Sequence, residues 1–79
     1  MSTHAIAETL VSPDEYLESL ESLIQRRLGG RIRDLHVVAR DNGIILQGRA
    51  ATYHTKQLAQ HAAMEISGMP ILANDIEVL

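Results

Sequence analysis

Asp41-Asn42-Gly43, set between two stretches that alternate apolar and polar side chains, constrains this chain more than any other feature. Asn-Gly is the favoured pair at the centre of a two-residue hairpin turn, where both positions take positive φ. With Asn42-Gly43 as that centre, Ala39 pairs with Leu46, Val37 with Gly48 and Leu35 with Ala50. The register gathers the apolar side chains on one face, as a sheet covered on one side requires. His36, Val38, Arg40, Ile45, Gln47 and Arg49 are left on the opposite face, which is mixed in character.

A lone hairpin is marginal in water, and the flanking sequence supplies what covers it. Ser12-Pro13-Asp14-Glu15 is a helix start, with Ser12 to cap, Pro13 at the first helical position and Glu15 where a capping box wants an acid. Leu17, Leu20, Ile24 and Leu28 follow at spacings of three and four, with Tyr16 and Leu23 widening the stripe. Arg26 and Arg27 fill the last turn and Gly29-Gly30 close it. After the hairpin, Thr52 caps a second helix from about Tyr53 to Ser67, whose inner face is Leu58, Ala59, Ala62, Ala63 and Ile66. Its alanines let it lie close to the sheet, and Gly48 is a strand glycine on that face. Gly68-Met69-Pro70 breaks the chain before a last strand, Ile71 to Leu79, with Leu72, Asn74, Ile76 and Val78 facing inward. The order helix, strand, strand, helix, strand predicts an α+β fold: two helices packed on one face of a three-stranded mixed sheet, the second strand central.

Composition narrows the function classes. Seventy-nine residues allow one domain, expected over residues 12–79 after a flexible lead-in at 1–11. Phe, Trp and Cys are absent, so the core is aliphatic and neither a disulfide nor thiolate chemistry is available. A net charge of −3 argues against bulk nucleic-acid binding. No apolar run reaches the length of a membrane span, and MSTHAIAETL lacks the pattern of a secretory signal. The default expectation is therefore a cytoplasmic protein, with peripheral attachment to a membrane as the variant of it.

The pattern from about Tyr16 to Val78 resembles a BON domain, the small domain named after bacterial osmotic-shock and nodulation proteins. Four stretches carry the resemblance: the amphipathic first helix; the hairpin Leu35-His36-Val37-Val38-Ala39-Arg40-Asp41-Asn42-Gly43-Ile44-Ile45-Leu46-Gln47-Gly48; the helix segment Lys56-Gln57-Leu58-Ala59-Gln60-His61-Ala62-Ala63; and the ending Gly68…Asn74-x-Ile76-x-Val78. The resemblance implies the same element order and a binding module without catalysis, proposed in that family to contact phospholipid surfaces.

Several groups of side chains are candidates for function. Arg26, Arg27, Arg31 and Arg33 fall within eight residues with no acid among them. Guanidinium groups bind phosphate as planar forks, so the segment suits an anionic lipid surface. The plainer alternative is that Arg26 and Arg27 complement the helix C-terminus while the others solubilise a loop. The outer sheet face, through Val38, Arg40, Ile45 and Arg49, offers a protein partner or a second copy of the chain instead. His54 and His61 lie two turns apart, about 10.5 Å along a helix, too far for one metal. No serine or carboxylate sits in a nucleophile or acid–base arrangement, so no catalysis, cofactor or metal is expected. A KH-like reader of single strands is the remaining alternative, but it needs a GxxG loop between helices and stacking aromatics, whereas Gly29-Gly30 leads into a strand. Asn74, polar on an inward row, is expected to make a structural hydrogen bond.

Overall fold

The computed structural model describes residues 13–79; Ser12 and the expected lead-in at 1–11 lie outside the described residues. Helix α1 runs Pro13–Leu28, strand β1 Ile32–Arg40, strand β2 Gly43–Ala50, helix α2 Tyr53–Ser67 and strand β3 Ile71–Val78. The sheet order is β1-β2-β3, with β1 antiparallel and β3 parallel to the central β2. This is the expected α+β fold. Helix α1 packs on β1 and on α2, and α2 packs on all three strands.

Local chemistry sets the boundaries. Gly30 N–H donates to Gln25 O at 2.9 Å and Gly29 N–H to Arg26 O at 3.3 Å, with φ of 73° and 66°. This pair of bonds is a Schellman ending, which needs the left-handed conformation that glycine adopts without a Cβ clash. The Thr52 hydroxyl accepts from Thr55 N–H at 3.1 Å, and Gly68 closes α2 with a bond to Met64 O.

One aliphatic cluster fills the space between helices and sheet. Leu20, Ile24 and Leu28 come from α1, Ala59, Ala62 and Ala63 from α2, and Ile32, Leu35, Val37, Ile44, Leu46, Ala50 and Ile76 from the sheet. Tyr16 and Leu23 do not widen the buried stripe; they are 42% and 44% exposed. Thr55, not assigned to the inner face by the apolar pattern, is buried there, its hydroxyl 2.9 Å from that of Thr52.

The hairpin departs from expectation by two residues. Val37 pairs with Leu46, Ala39 with Ile44 and Arg40 with Gly43, so the loop residues are Asp41 and Asn42. Neither has positive φ, so the turn is not of the primed kind. Gly43 serves a different need: a Cβ there would stand 2.6 Å from Pro70 O and 2.8 Å from Leu72 Cγ. The glycine admits the chain entering β3. A two-residue slip preserves the alternation, and the six outward residues expected of the hairpin remain outward.

Two irregularities then redistribute side chains between the faces. Between the pairs Arg33–Arg49 and His36–Gln47, β1 spends two residues, Asp34 and Leu35, against Gly48. Asp34 takes φ 54° to make this bulge, and the phase change buries Ile32 as well as Leu35 and Val37. A Cβ on Gly48 would meet Ile32 Cγ2 at 2.9 Å and Arg33 O at 3.0 Å. Gly48 thus accommodates the bulge of its neighbouring strand, not an approaching helix. In β3, the register jumps from Ile44–Ile71 to Ile45–Ala73, making Leu72 the extra residue. Ile71 therefore packs against the core in its place, while Leu72 is 44% exposed. Val78, also expected inside, is 43% exposed at the strand end; Ile76 is the β3 side chain fully enclosed.

Candidate functional site

The basic segment is divided by the fold. Arg26 and Arg27 are exposed in the last turn of α1, and Arg31 is exposed in the connection to β1. Arg33 is not in a loop: β1 begins at Ile32, and Arg33 stands opposite Arg49 in the register. Because Ile32 is turned into the core, alternation turns Arg33 to the outer sheet face, away from the helices. Arg27 is already engaged, its Nη1 lying 2.8 Å from Glu65 Oε1 on α2. Arg26 and Arg27 do rim a shallow, mainly apolar depression on the helical side, floored by Leu23 and Ile66.

The outer face of the sheet is built differently. Its side chains form rows that cross all three strands in register. Val38, Ile45 and Ala73 make one row, His36, Gln47 and Asp75 the next, and Arg33, Arg49 and Glu77 a third. Arg40 continues β1 beyond the apolar row. The direction of the missing Cβ of Gly43, which belongs to the same alternation as Ile45, leads to Leu72. The bulge therefore adds an exposed leucine next to the Val38–Ile45–Ala73 row. Val38, Ile45 and Ala73 are each half-buried, and among the described residues no helix or strand lies over them.

Charge is unevenly distributed across this face. On β1 the outward residues are Arg33, His36, Val38 and Arg40, joined by the exposed bulge residue Asp34; on β3 they are Ala73, Asp75 and Glu77. Arg49, between them on β2, has Asp34 Oδ2 at 3.9 Å from its Nη1. The four interaction-face residues expected from the sequence, Val38, Arg40, Ile45 and Arg49, do lie together on this surface. What the pattern did not reveal was the extension onto β3 by Ala73, Asp75 and Glu77, and the outward turn of Leu72. Asp75 and Glu77 were legible as outward-pointing; their alignment with particular β2 residues depends on the register jump.

Polar contacts between layers are structural. Glu21 Oε2 accepts from Val37 N–H at 2.8 Å and lies 3.9 Å from His36 Nδ1, while Gln25 Nε2 donates to Ile32 O. Asn74 Nδ2 donates to Lys56 O at 3.1 Å and to Gln60 Oε1 at 3.2 Å, and its Oδ1 accepts from Ile76 N–H. Asn74 thus ties β3 to the first turns of α2, a structural bond of the kind expected. His54 and His61 are both exposed on α2, and among the described residues no three His, Asp or Glu side chains group closely enough to hold a metal. No helix among the described residues is long and apolar enough to cross a membrane.

No family model, curated protein or solved structure matches the chain.

Proposed function

We propose that this chain is a non-enzymatic interaction module that docks a protein partner through the outer face of its sheet. The observation that carries the reading is the Val38–Ile45–Ala73 row, in register across all three strands, joined by exposed Leu72 and covered by neither helix. An apolar centre rimmed by charge is the usual anatomy of a protein interface. Contiguous apolar surface rimmed by polar residues is also what marks protein interaction sites.

The BON resemblance carries a second reading, an anionic phospholipid surface met by Arg26, Arg27, Arg31 and Arg33. Its support is the Leu23–Ile66 depression rimmed by Arg26 and Arg27. Against it, Arg27 shares its charge with Glu65, and Arg33 belongs to the opposite side of the molecule. A flat membrane cannot meet both sides at once, so the outer-sheet reading is preferred.

The absence of cysteine provides the test. Single reactive thiols at Gln47→Cys on the outer face, Ser22→Cys beside Arg26 and His54→Cys on α2 all fall on exposed positions. Maleimide labelling rates are compared for dilute purified protein, for protein in an extract of cells producing it, and with anionic vesicles. Protection of position 47 alone in the extract supports protein docking. Protection of position 22 by vesicles, lost at high salt, with position 47 unchanged throughout, would replace it with the lipid reading. Equal rates everywhere would remove both.

A further inference from the structure

We infer that the partner on the outer face is a second copy of this chain, related by a two-fold axis parallel to β2. The inference rests on the protein-docking reading above and adds the occupant and its orientation.

Charge is distributed unevenly over the three strands. A face-to-face pair of sheets has two simple two-fold arrangements, with the axis in the interface plane along or across the strands. An axis across the strands lays β1 on the partner's β1 and β3 on the partner's β3. That lays Arg33 and Arg40 on the partner's β1, where Asp34 is the single acid, and sets Asp75 and Glu77 against acids. Like charges facing each other across an interface repel and select against that arrangement. An axis along β2 lays β1 on the partner's β3 and leaves each row at its own height. Every row then faces itself reversed. Arg33 meets the partner's Glu77, His36 meets the partner's Asp75, and Val38 meets the partner's Ala73.

At the centre, Ile45 meets its own copy, as an isologous interface requires of residues on the axis. Arg49 also lies on the axis line, but it is flanked by Asp34 and by Glu77 in its own sheet, which spreads its charge. Aligned sheets pack about 10 Å apart at an angle near 30°. That angle shifts the outermost row sideways by several ångström, a gap that the long side chains of Arg33 and Glu77 span. The apolar row sits nearer the centre and is shifted less.

The size of the face sets the expected strength. Three strands at about 4.8 Å spacing and eight residues at about 3.3 Å give a patch of roughly 14 by 26 Å. Two such faces bury well under the ~1,200 Å² of a standard stable complex. The dimer is therefore weak, forming as concentration rises from micromolar to millimolar.

The test is analytical ultracentrifugation of the purified chain with Arg33→Glu, with Glu77→Arg, and with an equimolar mixture of the two. The wild type is expected to move from its monomer mass of 8.7 kDa toward twice that. Each single variant places like charges at both Arg33–Glu77 contacts and should remain monomeric. In the mixture both contacts are again between opposite charges, so dimer should return to the wild-type level. A wild type that stays monomeric at millimolar concentration overturns the inference, as does a mixture that fails to associate. If either variant melts well below the wild type, Ile45→Cys gives an independent readout: a short bifunctional thiol reagent that spans the sheet spacing should link it to itself, while Arg40→Cys stays monomeric. A dimer in which Arg40→Cys cross-links and Ile45→Cys does not has the wrong axis and overturns the proposal. Extract protection at position 47 with a monomeric purified chain would remove the second copy while leaving the protein-docking reading standing.

Discussion

Ile45 and Leu46 are consecutive residues of the same central strand, yet they answer to different demands. Leu46 is completely buried in the core; Ile45 looks the other way, half-buried in a surface that no described element covers. The inner face has one requirement, to exclude water, and any aliphatic side chain of suitable volume meets it. The outer face has no such requirement from folding. An apolar row crosses it from β1 to β3, with arginines mainly on β1 and acids on β3.

The largest effect should come from the inner member of that pair. Leu46→Ala removes three carbons from a site with no exposure, a change that costs about 2–5 kcal/mol in comparable cores. Thermal or urea unfolding checks it. A loss below about 1 kcal/mol would mean that the core is loosely packed, and the contrast between the two faces would collapse.

The next tests concern the devices that hold the layers in register. Gly43→Ala places a methyl 2.6 Å from a backbone oxygen of Pro70, which cannot yield as a side-chain tip would. A destabilisation of about 1–3 kcal/mol is expected from such overpacking. Asn42→Ala is the informative control. If the turn required positive φ at Asn42, alanine there would be costly; with negative φ it should change stability by less than about 0.5 kcal/mol. A large loss at Asn42 and none at Gly43 would restore the primed turn. Asn74→Leu follows, at about 1–2 kcal/mol, because it strips a polar partner from α2 and from Ile76 N–H. Binding by this variant at temperatures where it is folded should equal that of wild type; a defect there would give Asn74 a role in docking.

These cases show why the inner face was legible in the sequence and the finer placement was not. Helix ends follow from local chemistry: Gly29-Gly30, Thr52 and Gly68 each do what their residue types predict. The strand order followed from connection rules and needed no contact information. The exact register did not, because Asn42-Gly43 has two physical explanations, a turn that needs positive φ and a close approach that excludes a Cβ. Local sequence cannot separate them; the contact with Pro70 can. The same holds for Gly48, whose neighbour is the β1 bulge. Glu21 and Gln25 carried a signal that went unused. Both fall on the apolar stripe of α1, four residues after Leu17 and three before Leu28 respectively, where polar side chains need partners. Each finds a backbone group of β1. The split of the four arginines was hidden for a related reason. Adjacency in sequence suggested one patch, but a strand beginning at Ile32 rotates Arg33 to the far side.

A small change in stability is also expected at the outer member of the opening pair. Ile45→Thr keeps a β-branched side chain in the central strand and removes apolar volume only from the uncovered face. The cost should stay under about 1 kcal/mol, the whole span of strand propensities in a host protein. Its effect on association should be out of proportion to that figure. Residue 45 lies at the middle of the apolar row, and the centre of an interface is where desolvated contacts carry most of the binding energy. Paired measurements of melting and of mass against concentration separate the two roles: Ile45→Thr should melt near wild type and remain monomeric where wild type associates. If it melts as low as Leu46→Ala, the outer face is part of the core in energetic terms, and the uncovered row is a consequence of folding. If it melts and associates like wild type, residue 45 contributes to neither, and docking must centre on another part of the surface.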